Sequence, residues 1–355
     1  MKLFLVGPLI LPVTGQSLAF TKFVESIEDS KKVVVNTNLE DRTGLNKIFF
    51  YIKTLLKISI RVSFSKYHLV YFTCSRSFLG SIKDIVLINL ASLKGIKIVN
   101  HLHGSDFYDF LHNSPKWYQK ILFKSYEKVD ISIVLVDSMK AQFRDFKKMK
   151  IEVVPNFYDE ELDGKLVEKD SSKINLLYLS NIMTSKGVFE LIDAFEKLIN
   201  KYDNIILNIA GGYLSDEYMS ISEIKNKFES KISENDKITY LGTTFGKDKI
   251  KLLQSSDIFI LPSYKEAIPI SILEAMASSN AIITTKQKYL SEMLSSKNGV
   301  LVEIGSVESL IDGIECLIND KQKLKHIQNH NKQEAQEKFS MQKYLKSLEQ
   351  IVMNG

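Results

Sequence analysis

The sequence contains few cysteines, which could cross-link the chain, and few prolines, which would stiffen it. It has two cysteines, six prolines and one tryptophan in 355 residues. Cys74 and Cys316 lie far apart and belong to no Cys-x-x-Cys or Cys/His cluster. This excludes a disulfide scaffold and a structural zinc site, and it indicates a reducing compartment. No apolar run approaches the roughly 18 residues that a membrane-spanning helix needs. No basic run is interleaved with aromatic residues, which argues against nucleic acid as a partner.

The composition is that of an ordinary globular protein with an uneven charge. A hydrophobic content of 45% and a charged content of 25% allow a full core, and the length predicts two domains. Residues 1–155 carry a net charge of +10, whereas residues 156–355 carry −5. We therefore expect the first half of the chain to face an anionic partner, for which a membrane surface is the favoured class.

Short β-branched runs alternate with amphipathic stretches, which predicts parallel sheets covered by helices on both faces. We expect two tandem Rossmann-like, doubly wound α/β domains facing across a cleft: residues 1–158, a linker at 159–172, and residues 173–337. A helix over about 338–355 is expected to pack back on the first domain. The predicted strands are 31–36, 68–72, 96–101, 131–136, 151–155, 174–180, 205–211, 238–242, 257–262, 281–285 and 299–304. The predicted helices include 17–28, 77–93, 115–128 and 138–150, and a polar helical tail at about 320–353.

The opening stretch, MKLFLVGPLILPVTGQSLAF, has two interpretations. A cationic start and an apolar run are typical of a secretory signal, but glycine and two prolines interrupt the run and no Ala-x-Ala cleavage site follows. The alternative is a buried strand, Lys2 to Val6, followed by a loop that ends at Gly15. Because strand ends with the same character recur along the whole chain, we expect the strand.

The segment KIFFYIKTLLKISIR, residues 47–61, also has two interpretations. Four basic residues set among Ile, Phe and Leu are typical of a helix that lies on an anionic membrane surface. A core-facing helix with a solvated basic edge would have the same composition. The sequence leaves both open.

The strongest chemical signal is LPSYKEAIPISILEAMA, residues 261–277. It predicts a strand end, a loop with Glu266, and a helix that opens near Pro269 and contains Glu274. Two glutamates so placed can contact different parts of one extended ligand. Backbone N–H groups at the helix N-terminus can bind an anion, and those groups belong to Ala267, Ile268 and Ile270. The spacing alone would also fit two unrelated glutamates.

Other strand ends carry similar signals. LYLSNIMTSKG places Lys186 just before a predicted helix, IAGGY places Gly211 and Gly212 after a strand, and HLHGSDF places His103 at a strand end. Each feature alone is more often structural than functional. Their joint occurrence at successive strand ends favours a ligand site.

In these residues the sequence resembles the retaining glycosyltransferases of the GT-B fold, in particular glycosyltransferase family 4. The resemblance runs through nearly the whole chain. Its anchors are PVTGQS with Gly15, His103-Gly104, VVPNF (153–157), Lys186-Gly187, Gly211-Gly212 and the pair Glu266/Glu274.

The resemblance implies a role for each matching residue. Glu266, His103 and Lys186 would be catalytic: Glu266 and His103 would contact the transferred sugar, and Lys186 the diphosphate. Glu274 would bind the ribose hydroxyls of the nucleotide. The other implied donor contacts are Gly15, Asn181, Gly212, Ala267, Ile268 and Ile270, and the implied acceptor-side residues are Gln16 and Asp106.

Two positions depart from the family pattern. Ser180-Asn181 replaces a Gly-Arg pair, so Asn181 brings a hydrogen-bond donor but no charge to the diphosphate. Ala267 replaces a glycine after the first glutamate, which narrows the space around the donor sugar. Both departures bear on the identity of the donor.

The resemblance implies transfer of a sugar from a nucleotide-diphosphate sugar, UDP- or GDP-linked, to a glycan or lipid-linked acceptor in bacterial surface polysaccharide synthesis. It implies no cofactor and a cytoplasmic enzyme. If residues 47–61 form a membrane-surface helix, that helix would attach the enzyme peripherally to the inner face of the membrane. The sequence contains no Asp-x-Asp, which predicts metal independence.

Several alternatives remain open. They are a nucleotide-sugar epimerase of the same fold, a non-catalytic nucleotide-binding protein, and an inverting reaction with Asp106 as base. A Rossmann dehydrogenase is disfavoured because no Gly-x-Gly-x-x-Gly follows the first strand.

Overall fold

The computed structural model describes residues 1–10, 14–38, 44–164, 169, 172–233 and 235–354. The chain forms two compact units. The first unit comprises Met1–Asn156 together with Gln342–Gly355, and the second unit comprises Phe157–Met341. The C-terminal segment of the chain therefore belongs to the first unit.

The first unit is built on a six-stranded parallel sheet. Its strands are β1 (Leu3–Gly7), β2 (Lys32–Asn36), β3 (Leu69–Thr73), β4 (Lys97–His101), β5 (Ile131–Val134) and β6 (Lys150–Val153). They are arranged in the order β2-β1-β3-β4-β5-β6. Strands β1 and β3 are buried along their whole length, as expected for a sheet covered on both faces. The strand predicted in the opening stretch is confirmed, although residues 11–13 of the loop after it lie outside the described residues.

Among the residues that the structure describes, the helices connecting these strands are α1 (Gly15–Ser26), α2 (Gly44–Phe64), α3 (Phe78–Leu93), α4 (Phe107–Asn113) and α5 (Lys116–Tyr126). The helix predicted over 138–150 is wrong, because the segment forms only a 3-10 turn, Asp137–Phe143. The side chain of Gln142 in this turn accepts a hydrogen bond from the Tyr108 N–H at 2.7 Å. This contact with α4 fixes the turn, and tertiary structure overrides the local helical pattern.

The second unit contains another six-stranded parallel sheet. Its strands are β7 (Ile174–Leu179), β8 (Ile205–Ala210), β9 (Ile238–Tyr240), β10 (Ile258–Leu261), β11 (Ala281–Thr285) and β12 (Gly299–Val302). The order β12-β11-β10-β7-β8-β9 changes direction between β7 and β10. At such a switch point the loops that follow the two strands run to opposite sides of the sheet and leave a crevice between them.

The helices in the described part of the second unit are α6 (Val188–Leu198), α7 (Ile221–Ile232), α8 (Gly246–Ser255), α9 (Ile270–Ala277), α10 (Lys288–Met293), α11 (Val307–Ile318) and α12 (Lys321–Lys338). The last helix, α13 (Met341–Asn354), packs in the first unit, where Tyr344, Leu348 and Val352 are buried. The predicted tail of 320–353 is thus two helices, separated at the buried Phe339.

The predicted linker is packed in its first part. Glu160–Asp163 forms a 3-10 turn that contacts α9, and Leu162 is fully buried. Residues 165–168, 170 and 171 lie outside the described residues. The packed part of the segment belongs to the second unit.

A buried side-chain amide connects α12 to the amino ends of two strands in the sheet of the second unit. Asn331 on α12 is fully buried, and its Nδ2 donates to the carbonyl oxygens of Asn280 and Asn298, at 2.8 Å each. These two residues directly precede β11 and β12. The side chain therefore ties α12 to two strands through groups that are costly to leave without a partner.

We expect Asn331→Ala to lower the free energy of unfolding by about 2 kcal/mol, because it removes a buried donor from backbone carbonyls. Urea unfolding of the full chain measures the change. Gln333→Ala is the matched control, since Gln333 is exposed on the same helix and bonds to Glu337. Equal stability of the two variants would contradict the structural role of Asn331.

Candidate active site

The two sides of the switch point in the second unit meet in one ion pair. Lys186 lies in the loop after β7, just before α6, and Glu266 lies in the loop between β10 and α9. The Lys186 ammonium donates a hydrogen bond to Oε1 of Glu266. The side chains are 25% and 11% exposed, so both remain accessible to a ligand. The structure therefore brings together two of the three residues expected to be catalytic.

A close backbone contact enforces this pairing. Gly187 has a φ of +73°, and a Cβ built there would lie 2.2 Å from the carbonyl oxygen of Pro262. No other residue fits, because both the conformation and the space require glycine. The start of α6 is thereby held against the loop after β10.

Gln287 holds the loop that carries Glu266. Its Oε1 accepts from the Glu266 backbone N–H at 2.7 Å, and its Nε2 donates to the Ser263 carbonyl at 2.8 Å. Nε2 also donates to the hydroxyl of Thr285 at the end of β11, at 2.6 Å. Sequence reasoning missed Gln287, whose position after a strand end was its one available signal.

Asp216 holds the loop that carries Lys186. Its Oδ2 accepts from the Ser185 N–H at 2.7 Å, and its Oδ1 accepts from the N–H groups of Tyr218 and Met219. Burial acts to raise the pKa of Asp216, but these backbone hydrogen bonds outweigh it and the pKa is lowered. The sequence analysis did not identify Asp216 either.

Glu274 pairs with a different lysine. It is buried in α9, and its Oε1 lies 2.6 Å from Nζ of Lys249 on α8. Burial raises the pKa of Glu274, while the Lys249 charge opposes the shift. The helix does begin after Pro269, as predicted, but the two glutamates have separate cationic partners. Lys249 is a third residue that the sequence analysis missed.

The remaining donor contacts predicted in the second unit lie at the same edge of its sheet. Asn181 is exposed, and its carbonyl oxygen accepts from the Tyr178 hydroxyl at 2.8 Å. The Gly212 carbonyl accepts from the Ile182 N–H at 2.8 Å, which joins the loops after β7 and β8. Ala267 is half-buried, whereas the side chains of Ile268 and Ile270 are buried, so only their backbones can serve a ligand.

In the first unit, His103 lies directly after β4 and stacks on His101 with ring centroids 4.0 Å apart. Nδ1 of His101 lies 2.7 Å from the Tyr71 hydroxyl. Both ring nitrogens of His103 are buried, and burial, reinforced by the charge of Arg76, lowers its pKa to about 3. Burial lowers the pKa of His101 as well. Both imidazoles are therefore neutral at physiological pH.

Arg76, a residue that the sequence analysis passed over, lies beside this histidine pair. A Cβ built at Gly104 would lie 2.1 Å from its guanidinium, so this arginine crosses the backbone next to His103. Nη1 of Arg76 lies 2.5 Å from Oδ1 of Asp106. The carboxylate proposed as a base in an inverting reaction is thus held by a cation.

The predicted loop residues of the first unit stand at the start of α1. Thr14 caps the helix by accepting from the Ser17 N–H at 3.1 Å, and Ser17 Oγ accepts from the Thr14 N–H at 2.8 Å. Gly15 is exposed and Gln16 is half-buried in the first turn. Among the described residues, no three His, Cys, Asp or Glu side chains come together in a group that could hold a metal ion.

Two doubly wound parallel sheets with a charged switch point define an α/β protein of the GT-B class. Residues 159–334 match the model of the family Glycosyl transferases group 1. The chain has the fold of Anabaena HepE in complex with UDP, with a TM-score of 0.76 and 15% identity over the whole of both chains.

Two relatives agree with this family. The N-acetyl-alpha-D-glucosaminyl L-malate synthase of Bacillus anthracis is 27% identical over 270 residues, 72% of this chain and 67% of the relative. The N,N'-diacetylbacillosaminyl-diphospho-undecaprenol alpha-1,3-N-acetylgalactosaminyltransferase of Campylobacter jejuni is 28% identical over 199 residues, 55% of this chain and 49% of the relative. The match thus spans about half the length of the second relative.

We expect the first unit to lose stability on acidification, because His103 is neutral in the fold. Its pKa is about 3 when folded and 6.5 when unfolded, so the unfolded chain takes up the proton first. The free energy of unfolding should therefore fall by about 2 kcal/mol between about pH 7 and about pH 5. Urea unfolding followed by the fluorescence of the single tryptophan, Trp117, reports on this unit.

His103→Gln should flatten the dependence of stability on pH, although the buried His101 still contributes. His68→Gln, at an exposed position of the same unit, should leave it unchanged. The same slope in wild type and His103→Gln would show that His103 is not held neutral.

Proposed function

We propose that this chain is a metal-independent, retaining glycosyltransferase that uses a nucleotide-diphosphate sugar as donor. The observation that carries the proposal is the accessible Lys186–Glu266 pair at the switch point of the second unit. A cation for a diphosphate and a carboxylate for sugar hydroxyls stand side by side there, where doubly wound sheets bind their ligands.

Each charged residue of the site has a part in binding the donor. Lys186 contacts the diphosphate, and Glu266 accepts hydrogen bonds from the hydroxyls of the transferred sugar. Glu274 binds the ribose hydroxyls, for which it must be ionised, and Lys249 favours the ionised form against the effect of burial. The N-terminus of α9 adds backbone N–H groups next to the anionic part of the donor.

The reaction breaks the bond between the anomeric carbon and the phosphate oxygen through an oxocarbenium-like transition state. Negative charge develops on the leaving diphosphate, and Lys186 stabilises it there. The acceptor hydroxyl attacks the same face of the sugar, and its proton passes to the leaving phosphate oxygen. His103 of the first unit is neutral, so its proposed part is that of a hydrogen-bonding group for a sugar hydroxyl rather than that of a charged acid.

UDP- and GDP-sugars are the proposed donors, and a glycan or lipid-linked saccharide is the proposed acceptor. Support for the donor comes from HepE, which is described in complex with UDP and with UDP-glucose. Support for the acceptor comes from the Campylobacter jejuni relative, whose name includes a diphospho-undecaprenol. We place the reaction in bacterial surface polysaccharide synthesis, on the cytoplasmic side of the membrane.

Glu266→Gln and Lys186→Gln should each lower kcat/KM for sugar transfer by about 100-fold or more, because each removes a charge that acts on the reacting part of the donor. The assay uses the nucleotide sugar that raises the Tm most among a panel of UDP- and GDP-sugars. Lys201→Gln is the matched control, because it breaks the surface ion pair with Glu315 in the same unit. Full activity of either site variant, with the fold intact, would refute the site.

Sugar transfer should survive excess EDTA, because Lys186 and backbone N–H groups take the place of a metal bridge at the diphosphate. The measurement compares rates with and without chelator. A loss of activity that added Mg²⁺ restores would contradict metal independence. Nucleotide release at full rate without any acceptor would instead favour the epimerase.

A further inference from the structure

Helix α2 has apolar side chains on two opposite sides. Its inner side consists of Thr54, Ile58 and Val62, which are buried. Residues two positions apart in an α-helix differ by about 200° around its axis, so apolar residues at such offsets from the inner side point away from the core. These residues form what we call the outer face: Leu45, Ile48, Phe49, Ile52, Leu56, Ile60 and Phe64. A helix that only faces the core would be polar at these positions, which favours the membrane-surface interpretation of this segment.

The outer face is open to solvent along the length of the helix. Leu45 is 84% exposed, Phe49 71% and Phe64 86%. The spacing of three and four residues makes one continuous stripe over about 30 Å of helix. A stripe of this size is far more apolar surface than scattered exposed residues would give, and it marks an interaction site.

A row of cations borders the stripe. Lys53, Lys57 and Arg61 each follow an outer-face residue by one position, so they form a parallel row along the same helix. Between Asp41 and Asp84 the sequence contains no aspartate or glutamate. On α2 itself, the charged residues beside the apolar stripe are therefore all positive.

The apolar surface continues onto the neighbouring helices. The Tyr51 hydroxyl donates to the carbonyl oxygen of Leu79, at the start of α3, and Leu79 is itself exposed. Phe78, the residue before Leu79, makes an edge-to-face ring contact with Trp117 on α5, with the ring centroids 6.3 Å apart. Trp117 is 60% exposed. Exposed lysines accompany this part as well: Lys116, Lys120 and Lys124.

We infer that the outer face of α2, with Leu79, Phe78 and Trp117, docks the protein on an anionic lipid bilayer. An apolar stripe inserts at the boundary between headgroups and acyl chains, a basic row contacts anionic headgroups, and tryptophan favours this interface. No described helix is long and apolar enough to cross a bilayer. A symmetric dimer in which the two copies of α2 pack antiparallel on this face would bring the two rows of cations together, which disfavours that arrangement.

The experiment measures cosedimentation of the full chain with vesicles of phosphatidylcholine, with and without phosphatidylglycerol. Wild type should bind the anionic vesicles, and less so at high salt. Phe49→Gln combined with Leu56→Gln should weaken binding at least about tenfold, because it removes the central apolar side chains. Ile304→Gln, at an exposed apolar position of the second unit, is the control and should leave binding unchanged.

The electrostatic part is tested separately. Lys53→Gln, Lys57→Gln and Arg61→Gln together should weaken binding to anionic vesicles by about tenfold or more. Lys297→Gln, Lys321→Gln and Lys325→Gln remove the same charge from the exposed surface of the second unit and should have little effect. Equal losses in the two triple variants would mean that net charge, and not this surface, directs the binding.

Two results would overturn the inference: wild type that binds no vesicles, or outer-face variants that bind as wild type does. Sedimentation velocity tests whether a second copy of the chain occupies the outer face instead. If wild type is a dimer and the combined Phe49→Gln and Leu56→Gln variant is a monomer, the face belongs to a dimer interface. Thermal shift with the selected nucleotide sugar should be the same in wild type and the outer-face variant. Vesicle binding thus stands or falls independently of the proposed reaction.

Discussion

The contact between Gly187 and the carbonyl oxygen of Pro262 is the constraint on which the candidate site depends. It allows the loop after β7 to lie directly against the loop after β10, and no side chain fits between them. Lys186 lies one residue from the glycine and Glu266 lies four residues from the proline. The close contact between the two loops therefore brings these side chains within ion-pair distance. Asp216 and Gln287 then fix the two loops from either side by bonding to backbone N–H groups. Four separate segments of chain therefore define the geometry of a single ion pair.

The sequence predicts the parts of this site that are local. Strand ends, the helix after Pro269 and the glycine before α6 all have local signals, since they depend on apolar runs and on residues with special backbone freedom. Lys249, Gln287 and Arg76 could not be found in that way. Their partners are 25, 21 and 30 residues distant along the chain, and nothing near them marks the contact. Lys249 is also one of three lysines in α8, which are alike until the fold selects one of them.

Local patterns failed where tertiary contacts decide the outcome. Residues 138–150 have the composition of a helix, yet the Gln142 side chain accepts a hydrogen bond from the backbone of α4. Because of this contact the segment forms a 3-10 turn instead. The segment 47–61 could not be assigned, since an amphipathic pattern does not say which apolar side the protein covers. Packing of α2 against α3 and β2 settles that question, by burying Ile58 and Val62 and leaving Phe49 and Leu56 outside.

The pairing of lysines with glutamates in the second unit also bears on which ligand the site would select. A simple phosphate that drew Lys186 away would leave the half-buried Glu266 carboxylate without its cation, and an uncompensated buried charge is costly. A nucleotide sugar avoids this cost in the proposed reaction, because its phosphates take the lysine while its hydroxyls donate to the glutamate. In the proposed reaction Glu274 keeps Lys249 and gains hydrogen bonds from the ribose hydroxyls. Because each glutamate is already paired with a lysine, the site favours a ligand that carries both phosphate and hydroxyl groups over one that carries phosphate alone.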